Sequence, residues 1–139
     1  MSEILNFSLS AERSSSDLSL ATTHGATVKL DTSLAGYSEA LTPIELLLSA
    51  QAACFIKGVE RFAEELNFDF SNVIVSLSAQ RPADQATITG LQYLVEIETP
   101  ESEDRVGLIA KNLVKHGTIY NVLSAAIPMT GEIRKRAAA

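Results

Sequence analysis

The most reactive side chain in this 139-residue sequence is that of Cys54, the only cysteine. A cysteine acts as a nucleophile when it ionises to the thiolate, but free cysteines are also among the most buried residue types. Gln51, Lys57 and Arg61 lie three or seven positions away and would share its side of a helix. Lys57 and Arg61 would stabilise the thiolate form of Cys54 and, with Gln51, would bind a ligand beside it. Alternatively, these charged residues simply form a solvated face of the helix. Composition alone favours a structural role for Cys54.

The two histidines have structural explanations. His24 precedes a glycine in a predicted turn, and His116 ends a predicted helix, where a cation complements the helix dipole. One cysteine and two widely spaced histidines do not form a zinc-binding pattern. No phosphate-binding loop, nucleophile elbow or dinucleotide motif is present. We therefore expect neither a metal nor any other cofactor.

Charge and composition exclude several classes of partner. The net charge of −6 argues against nucleic acid, whose phosphates require clustered Lys and Arg. The apolar stretch Leu46–Ile56 is too short to span a membrane, and no signal-peptide pattern precedes it. A single cysteine excludes an internal disulfide and suits a reducing compartment. We expect a cytoplasmic, bacterial-type protein without a membrane partner.

A long helix over Thr42–Asn67 would position Cys54 near its centre. Thr42, Pro43 and Glu45 form a T-x-x-E capping box with proline at the first helical position. The first half of this helix, through Ile56, is apolar nearly all round, which predicts burial on every side. A single domain of this size offers too little cover for such a helix, and a second copy of the chain could supply it.

The remaining chain predicts a single α+β domain over residues 1–139 with the order βββαββα(α)β. Alternating apolar residues predict a half-buried strand over Leu5–Ala11, followed by a polar turn at Glu12–Ser16. The other predicted strands lie near 18–20, 26–30, 73–79, 91–97 and 127–134. A second helix begins after Ser102 and ends near Gly117, and 120–126 adds a helical turn or two.

Two segments carry a resemblance to a known family. The pattern P-x-E-L-L-L-x-A-x-A-A-C at Pro43–Cys54 and the segment K-H-G-T-I-Y-N-V-L at Lys115–Leu123 resemble the OsmC/Ohr family of thiol-dependent hydroperoxide reductases. The resemblance implies an OsmC-like α+β fold with an N-terminal β-meander and a long central helix that carries the cysteine. It also implies an intertwined homodimer, a role in oxidative-stress defence, and Cys54 as the peroxidatic thiol.

The chain departs from the family pattern around that thiol. Gly117 stands where the family has its second cysteine, and Thr118 stands where a proline follows it. The family glutamate that pairs with an arginine corresponds to Ile44, since the neighbouring Glu45 points about 100° away on a helix. Arg13 is the residue that could match the family arginine.

These departures leave two functions open. The first is a (hydro)peroxide reductase with one-cysteine or weakened activity, in which an external thiol or a protein reductant restores Cys54. The second is a non-catalytic OsmC-like dimer that binds a small apolar ligand at the subunit interface. The family resemblance favours the first.

Overall fold

The computed structural model describes residues 2–36 and 39–137. The element order is the predicted one, with three helices and six strands in the described residues. The elements are β1 Ser10–Arg13, β2 Leu18–Thr23, β3 Ala26–Asp31, α1 Pro43–Leu66, β4 Asn72–Gln80, β5 Gly90–Glu98, α2 Glu103–His116, α3 Thr118–Ala126 and β6 Met129–Arg136. None of these helices is both long and apolar enough to cross a bilayer.

The strands form two three-stranded sheets. In the first, β1, β2 and β3 are consecutive antiparallel neighbours, as a meander requires. In the second, β5 lies between β4 and β6, antiparallel to β4 and parallel to β6. The parallel pairing requires a crossover, which α2 and α3 provide. The α+β class predicted from the sequence is confirmed.

The chain divides into two compact units, Met1–Leu47 and Leu48–Ala139, with the boundary inside α1. The larger unit holds a core in which one side of α1 packs with α2 and β5. Its buried apolar side chains are Phe55, Val59, Phe62, Ala63, Phe68, Val95, Ile97, Val106, Ile109 and Leu113. That a single domain covers the whole chain stays a prediction.

The predicted strand over Leu5–Ala11 is wrong. Residues 2–9 have no regular secondary structure, and the first strand is Ser10–Arg13, so that Glu12 belongs to a strand and not to a turn. The apolar side chains of this segment are exposed, with Phe7 90% accessible. Alternation specifies a strand only where one face finds a surface to pack against. Among the residues that the structure describes, no such surface covers these side chains.

The N-terminus of α1 is held by the predicted capping box. The Thr42 backbone N–H donates to Glu45 Oε1 at 2.9 Å, and the Glu45 N–H donates to Thr42 Oγ1 at 3.3 Å. These bonds satisfy two of the amides that lack partners within the helix. The hydrogen bonds from the Thr42 backbone and side chain also lower the pKa of Glu45 below its usual 4.5.

Replacing Thr42 with alanine is expected to lower the free energy of unfolding by about 0.5–2 kcal/mol at pH 7, as for other lost helix caps. A carboxylate whose pKa is lowered by folding stabilises the protein above its unfolded pKa and ceases to do so as pH falls. Because the Thr42 side chain supplies one of the two hydrogen bonds that lower the pKa of Glu45, the difference between wild type and Thr42→Ala should shrink as the pH falls below 4.5. Urea unfolding at pH 7 and at a pH below 4.5 measures this difference in stability, with Thr42→Ser as the matched control. Equal stabilities at pH 7 would contradict the prediction.

The C-terminus of α1 is tied to the start of α2. Asn67 has a left-handed backbone (φ 51), which ends the helix. The guanidinium of Arg105 donates from Nη2 to the carbonyl oxygens of Leu66 at 2.8 Å and Asn67 at 3.0 Å. Its Nε lies 3.3 Å from Glu101 Oε1. One arginine thus satisfies carbonyls that the helix itself cannot and fixes α1 relative to α2.

The first half of α1 is only partly covered in the single chain. Of residues 43–56, Gln51 and Phe55 are buried, whereas Ile56 is 40% exposed. The sequence predicts burial on every side of this half. Burial by a second copy stays a prediction.

Candidate functional site

Cys54 lies near the middle of α1, in the unit Leu48–Ala139, and its thiol is free and partly buried. It lies against the junction of α2 and α3, because a Cβ built on Gly117 would be 3.5 Å from Cys54 Sγ. Gly117 is the single residue between the two helices. The structure therefore brings together two positions that are 63 residues apart in the sequence.

Space, and not backbone conformation, favours glycine at position 117. Its φ of −74° and ψ of 115° are accessible to any residue. A Cβ there would lie 2.6 Å from the Leu113 carbonyl oxygen and 3.2 Å from Tyr120 Cβ. A side chain at this position would require a local backbone shift.

A second glycine allows α1 and α2 to approach closely one turn after the thiol. A Cβ on Gly58 would lie 2.5 Å from Leu113 Cδ2. Leu113 is itself buried, so its side chain fills the space that Gly58 leaves. This contact holds the α2 end of the α2–α3 junction against the thiol-bearing face of α1.

Three aromatic side chains, from α1, β5 and α3, pack against one another in the same unit. The ring centroids of Phe55 and Tyr93 are 5.1 Å apart, those of Phe55 and Tyr120 are 6.1 Å apart, and those of the two tyrosines are 6.0 Å apart with an edge-on orientation. Such separations are favourable for aromatic pairs. Gly131 on β6 leaves room for the Tyr93 ring, since a Cβ there would lie 2.5 Å from Tyr93 Cγ.

The phenol of Tyr93 stays protonated at neutral pH. Burial raises its pKa to about 12, and a hydrogen bond with Tyr120 adds to the shift. The sequence did not single out either tyrosine. Tyr120 could have been predicted to lie near the site, because it belongs to the family-like segment around Gly117. Nothing in the sequence distinguishes Tyr93 except its place on a strand.

The other residues predicted to contact a ligand differ sharply in burial. Gln51 is completely buried, and neither its amide nitrogen nor its carbonyl oxygen has a hydrogen-bond partner among the described residues. Lys57 and Arg61 are exposed, and they form no ion pair with any part of the chain that the structure describes. Their exposure leaves the solvated-face interpretation open for both. A solvated face does not explain Gln51, because its side chain is buried.

Arg13, Ile44 and Glu45 belong to the unit Met1–Leu47. Arg13 is the last residue of β1, paired with Ser19 and exposed. Ile44 is partly buried in the first turn of α1, and the adjacent carboxylate of Glu45 accepts hydrogen bonds from Thr42. The capping role of Glu45 is confirmed. The role of Arg13 as a partner of the thiolate stays a prediction.

An apolar groove lies beside the aromatic cluster in the same unit. Its volume is about 510 Å³, and its lining residues are Tyr93, Ala110, Lys111, Val114, Lys115 and Ile133. Lys111 and Lys115 are one helical turn apart on α2 and exposed. In residues 2–36 and 39–137 there is no group of three or more His, Cys, Asp or Glu side chains that could hold a metal ion.

Residues 36–132 match the family described as OsmC-like protein. The chain belongs to this family. The match includes both Cys54 and Gly117, and so covers the junction that brings them together. A comparison with curated proteins gave no match.

Solved structures show how widely the OsmC-like fold is shared. The OsmC-like protein of Mycoplasma pneumoniae is 15% identical with a TM-score of 0.84, covering 97% of this chain and 99% of that one. An organic hydroperoxide resistance protein of Legionella pneumophila is 12% identical with a TM-score of 0.69, covering 99% and 100%. The organic hydroperoxide resistance protein OhrB of Bacillus subtilis is 11% identical with a TM-score of 0.65, covering 95% and 98%. At these identities the likeness shows a common fold.

Proposed function

We propose that this protein reduces organic hydroperoxides in defence against oxidative stress, with Cys54 as the attacking thiol and a thiol from outside the chain as reductant. The observation that carries the proposal is the position of Cys54 Sγ beside Gly117 at the α2–α3 junction. The family resemblance places the second thiol at this same position. The sulfur thus lies where a resolving group would reach it, although this chain does not supply that group.

The chemistry divides into two stages. The Cys54 thiolate attacks the terminal oxygen of R–O–OH, an S–O bond forms, the O–O bond breaks, and the alkoxide takes a proton to leave as the alcohol. Cys54 is oxidised by two electrons to the sulfenic acid. An external thiol then attacks the sulfenic sulfur and releases water, and a second external thiol breaks the resulting mixed disulfide and restores Cys54.

The reductant is external because Cys54 is the only cysteine of the chain. A small thiol or a partner protein with a reactive thiol would satisfy the electron balance. A sulfenic acid that is not resolved is oxidised further to irreversible states. The reducing environment of the cytoplasm, where we place the protein, supplies such thiols.

A sulfenate-trapping experiment tests the proposed function. Reduced protein is mixed with cumene hydroperoxide and dimedone, and the labelled residue is identified by mass spectrometry. Labelling of Cys54 should be much faster than that of free cysteine in the same buffer, and Cys54→Ser should not be labelled. Labelling no faster than that of free cysteine would reject the proposal.

We also propose that the protein is a homodimer. The exposed apolar side chains of Leu5, Phe7 and Leu9 support this proposal, since monomeric proteins rarely leave such clusters uncovered. In the other compact unit, Ile56 on α1 is a separate exposed apolar side chain. A second copy would cover them.

A second candidate function is the binding of a small apolar ligand, which the groove between α2 and β5–β6 favours. Its volume lies in the range of small-molecule sites, about 300–1,000 Å³. Lys111 and Lys115 would select an apolar ligand with an acidic group. Calorimetric titration with dodecanoate tests this, with dodecanol as the uncharged control. Binding should persist in Cys54→Ala and weaken in Lys111→Ala/Lys115→Ala, and its absence from the wild type would reject this function.

A further inference from the structure

Gln51 is the one side chain in the described residues whose buried polar atoms have no hydrogen-bond partner. Its residue exposure is 0%, so solvent does not substitute for a protein partner. A buried, unsatisfied amide destabilises the folded state, whereas an apolar side chain of similar size at the same position would not. Such a group calls for a partner from outside the chain.

The orientation of Gln51 follows from the face of α1 on which it lies. Positions 51, 54, 55 and 58 form one side of a helix. Three of them contact the α2–α3 junction and the aromatic side chains beside it: Cys54 lies against Gly117, Phe55 against Tyr93 and Tyr120, and Gly58 against Leu113.

Gln51 extends this face by one turn toward the N-terminus of α1. Helical side chains lean toward the N-terminus, so Cys54 Sγ is directed toward the turn that carries Gln51. The orphan amide and the thiol therefore belong to the same site.

The chemistry of the amide selects a ligand class. A primary amide offers two N–H donors and a carbonyl acceptor. A hydroperoxide offers one O–H donor and two acceptor oxygens, and can therefore engage both halves of the amide. We propose that the side chains covering Gln51 in the free chain move apart to admit the hydroperoxide group of the substrate, and that the Gln51 amide then binds this group and orients its terminal oxygen toward Cys54. This inference rests on the proposed function. In the reaction Gln51 neither gains nor loses a proton, and the S–O bond forms at Cys54 as described above.

The decisive variant is Gln51→Met, which keeps a similar length and removes both hydrogen-bonding groups. The rate of sulfenate formation with cumene hydroperoxide should fall roughly tenfold or more, as expected for the loss of one or two hydrogen bonds. The rate of Cys54 alkylation by iodoacetamide should not change, because that reaction needs the thiolate but no bound peroxide. The melting temperature should rise or stay the same, since an unsatisfied amide is removed. Glu60→Met introduces the same side chain at an exposed position of α1 and should leave both rates unchanged.

A binding experiment separates this inference from the proposed function. Cumene hydroperoxide is titrated into Cys54→Ala, and into Cys54→Ala/Gln51→Met, while amide shifts are followed by NMR. The second variant should bind roughly tenfold more weakly. If the wild type forms no sulfenate but this difference is observed, the proposed function fails and the role of Gln51 in binding stands.

Three results would overturn the inference. Equal hydroperoxide affinity with and without Gln51 would show that the amide does not contact the ligand. A parallel fall in alkylation and sulfenate formation would show that Gln51 acts on the thiol alone. Dissociation of a dimer by Gln51→Met, with binding unchanged, would show that a second copy supplies the partner of the amide.

Discussion

Replacing Gly117 with cysteine is expected to let the chain reduce the sulfenic acid of Cys54 by itself, through an internal disulfide, so that no external thiol is needed for this step. In a disulfide, each sulfur lies roughly 3 Å from the Cβ of the other cysteine. A Cβ at position 117 would lie 3.5 Å from Cys54 Sγ, so a few tenths of an ångström separate the present geometry from a bond. One equivalent of cumene hydroperoxide should then consume both thiols of Gly117→Cys, and dimedone labelling should largely disappear. Thiol titration and intact-mass measurement check this result.

The same substitution should destabilise the reduced protein. The added Cβ would meet the Leu113 carbonyl oxygen at 2.6 Å, and overpacking of this kind costs about 1–3 kcal/mol. Gly117→Ser is the control for crowding, since it adds a similar side chain without a thiol. Gly107→Cys is the control for thiol count, because its position is open and lies roughly 15 Å before Gly117 along α2. A disulfide in Gly107→Cys, or none in Gly117→Cys, would contradict the proposed geometry.

The helices could be predicted from the sequence because their signals are local. The capping box of Thr42 and Glu45 satisfies backbone amides within four residues, and the structure shows both hydrogen bonds. Ser102 likewise accepts from the N–H of Arg105 at the start of α2. A pattern that is complete within one turn requires no knowledge of the rest of the fold. The segment before β1 is different, because Phe7 can lie in a strand only if something else in space covers it.

The candidate site could be predicted only in part because its parts come from distant segments. Spacing placed Gln51 beside Cys54, and the family resemblance identified Gly117. Neither indicated that the amide of Gln51 would be buried without a partner. Nor did anything in the sequence connect Tyr93 on β5 with Tyr120 on α3, whose contact depends on the crossover that makes β5 and β6 parallel. Local sequence patterns predict individual helices and strands, but the contacts between these elements depend on the topology of the fold.

The N-terminal segment should control assembly. We expect the wild-type protein to sediment at about twice its 14.9 kDa chain mass, and Phe7→Asp to sediment as a monomer at micromolar concentration. Phe7 is 90% exposed in the single chain and lies three residues before Ser10, the start of β1, which is an edge strand with one neighbour in its sheet. Burial of a phenylalanine contributes about 1.5–3 kcal/mol, and a symmetric dimer would bury it twice. The variant should therefore weaken the dimer roughly a hundredfold or more.

Ser8→Asp provides the matched control for the dimer. It introduces the same charge one residue further along the segment, on the opposite face of an extended chain, where the sequence is polar. If apolar alternation over Leu5, Phe7 and Leu9 drives association, sedimentation velocity should show Ser8→Asp as a dimer and Phe7→Asp as a monomer. Dissociation of both variants would indicate that charge alone opposes assembly. A wild-type monomer would contradict the homodimer and leave these exposed side chains unexplained.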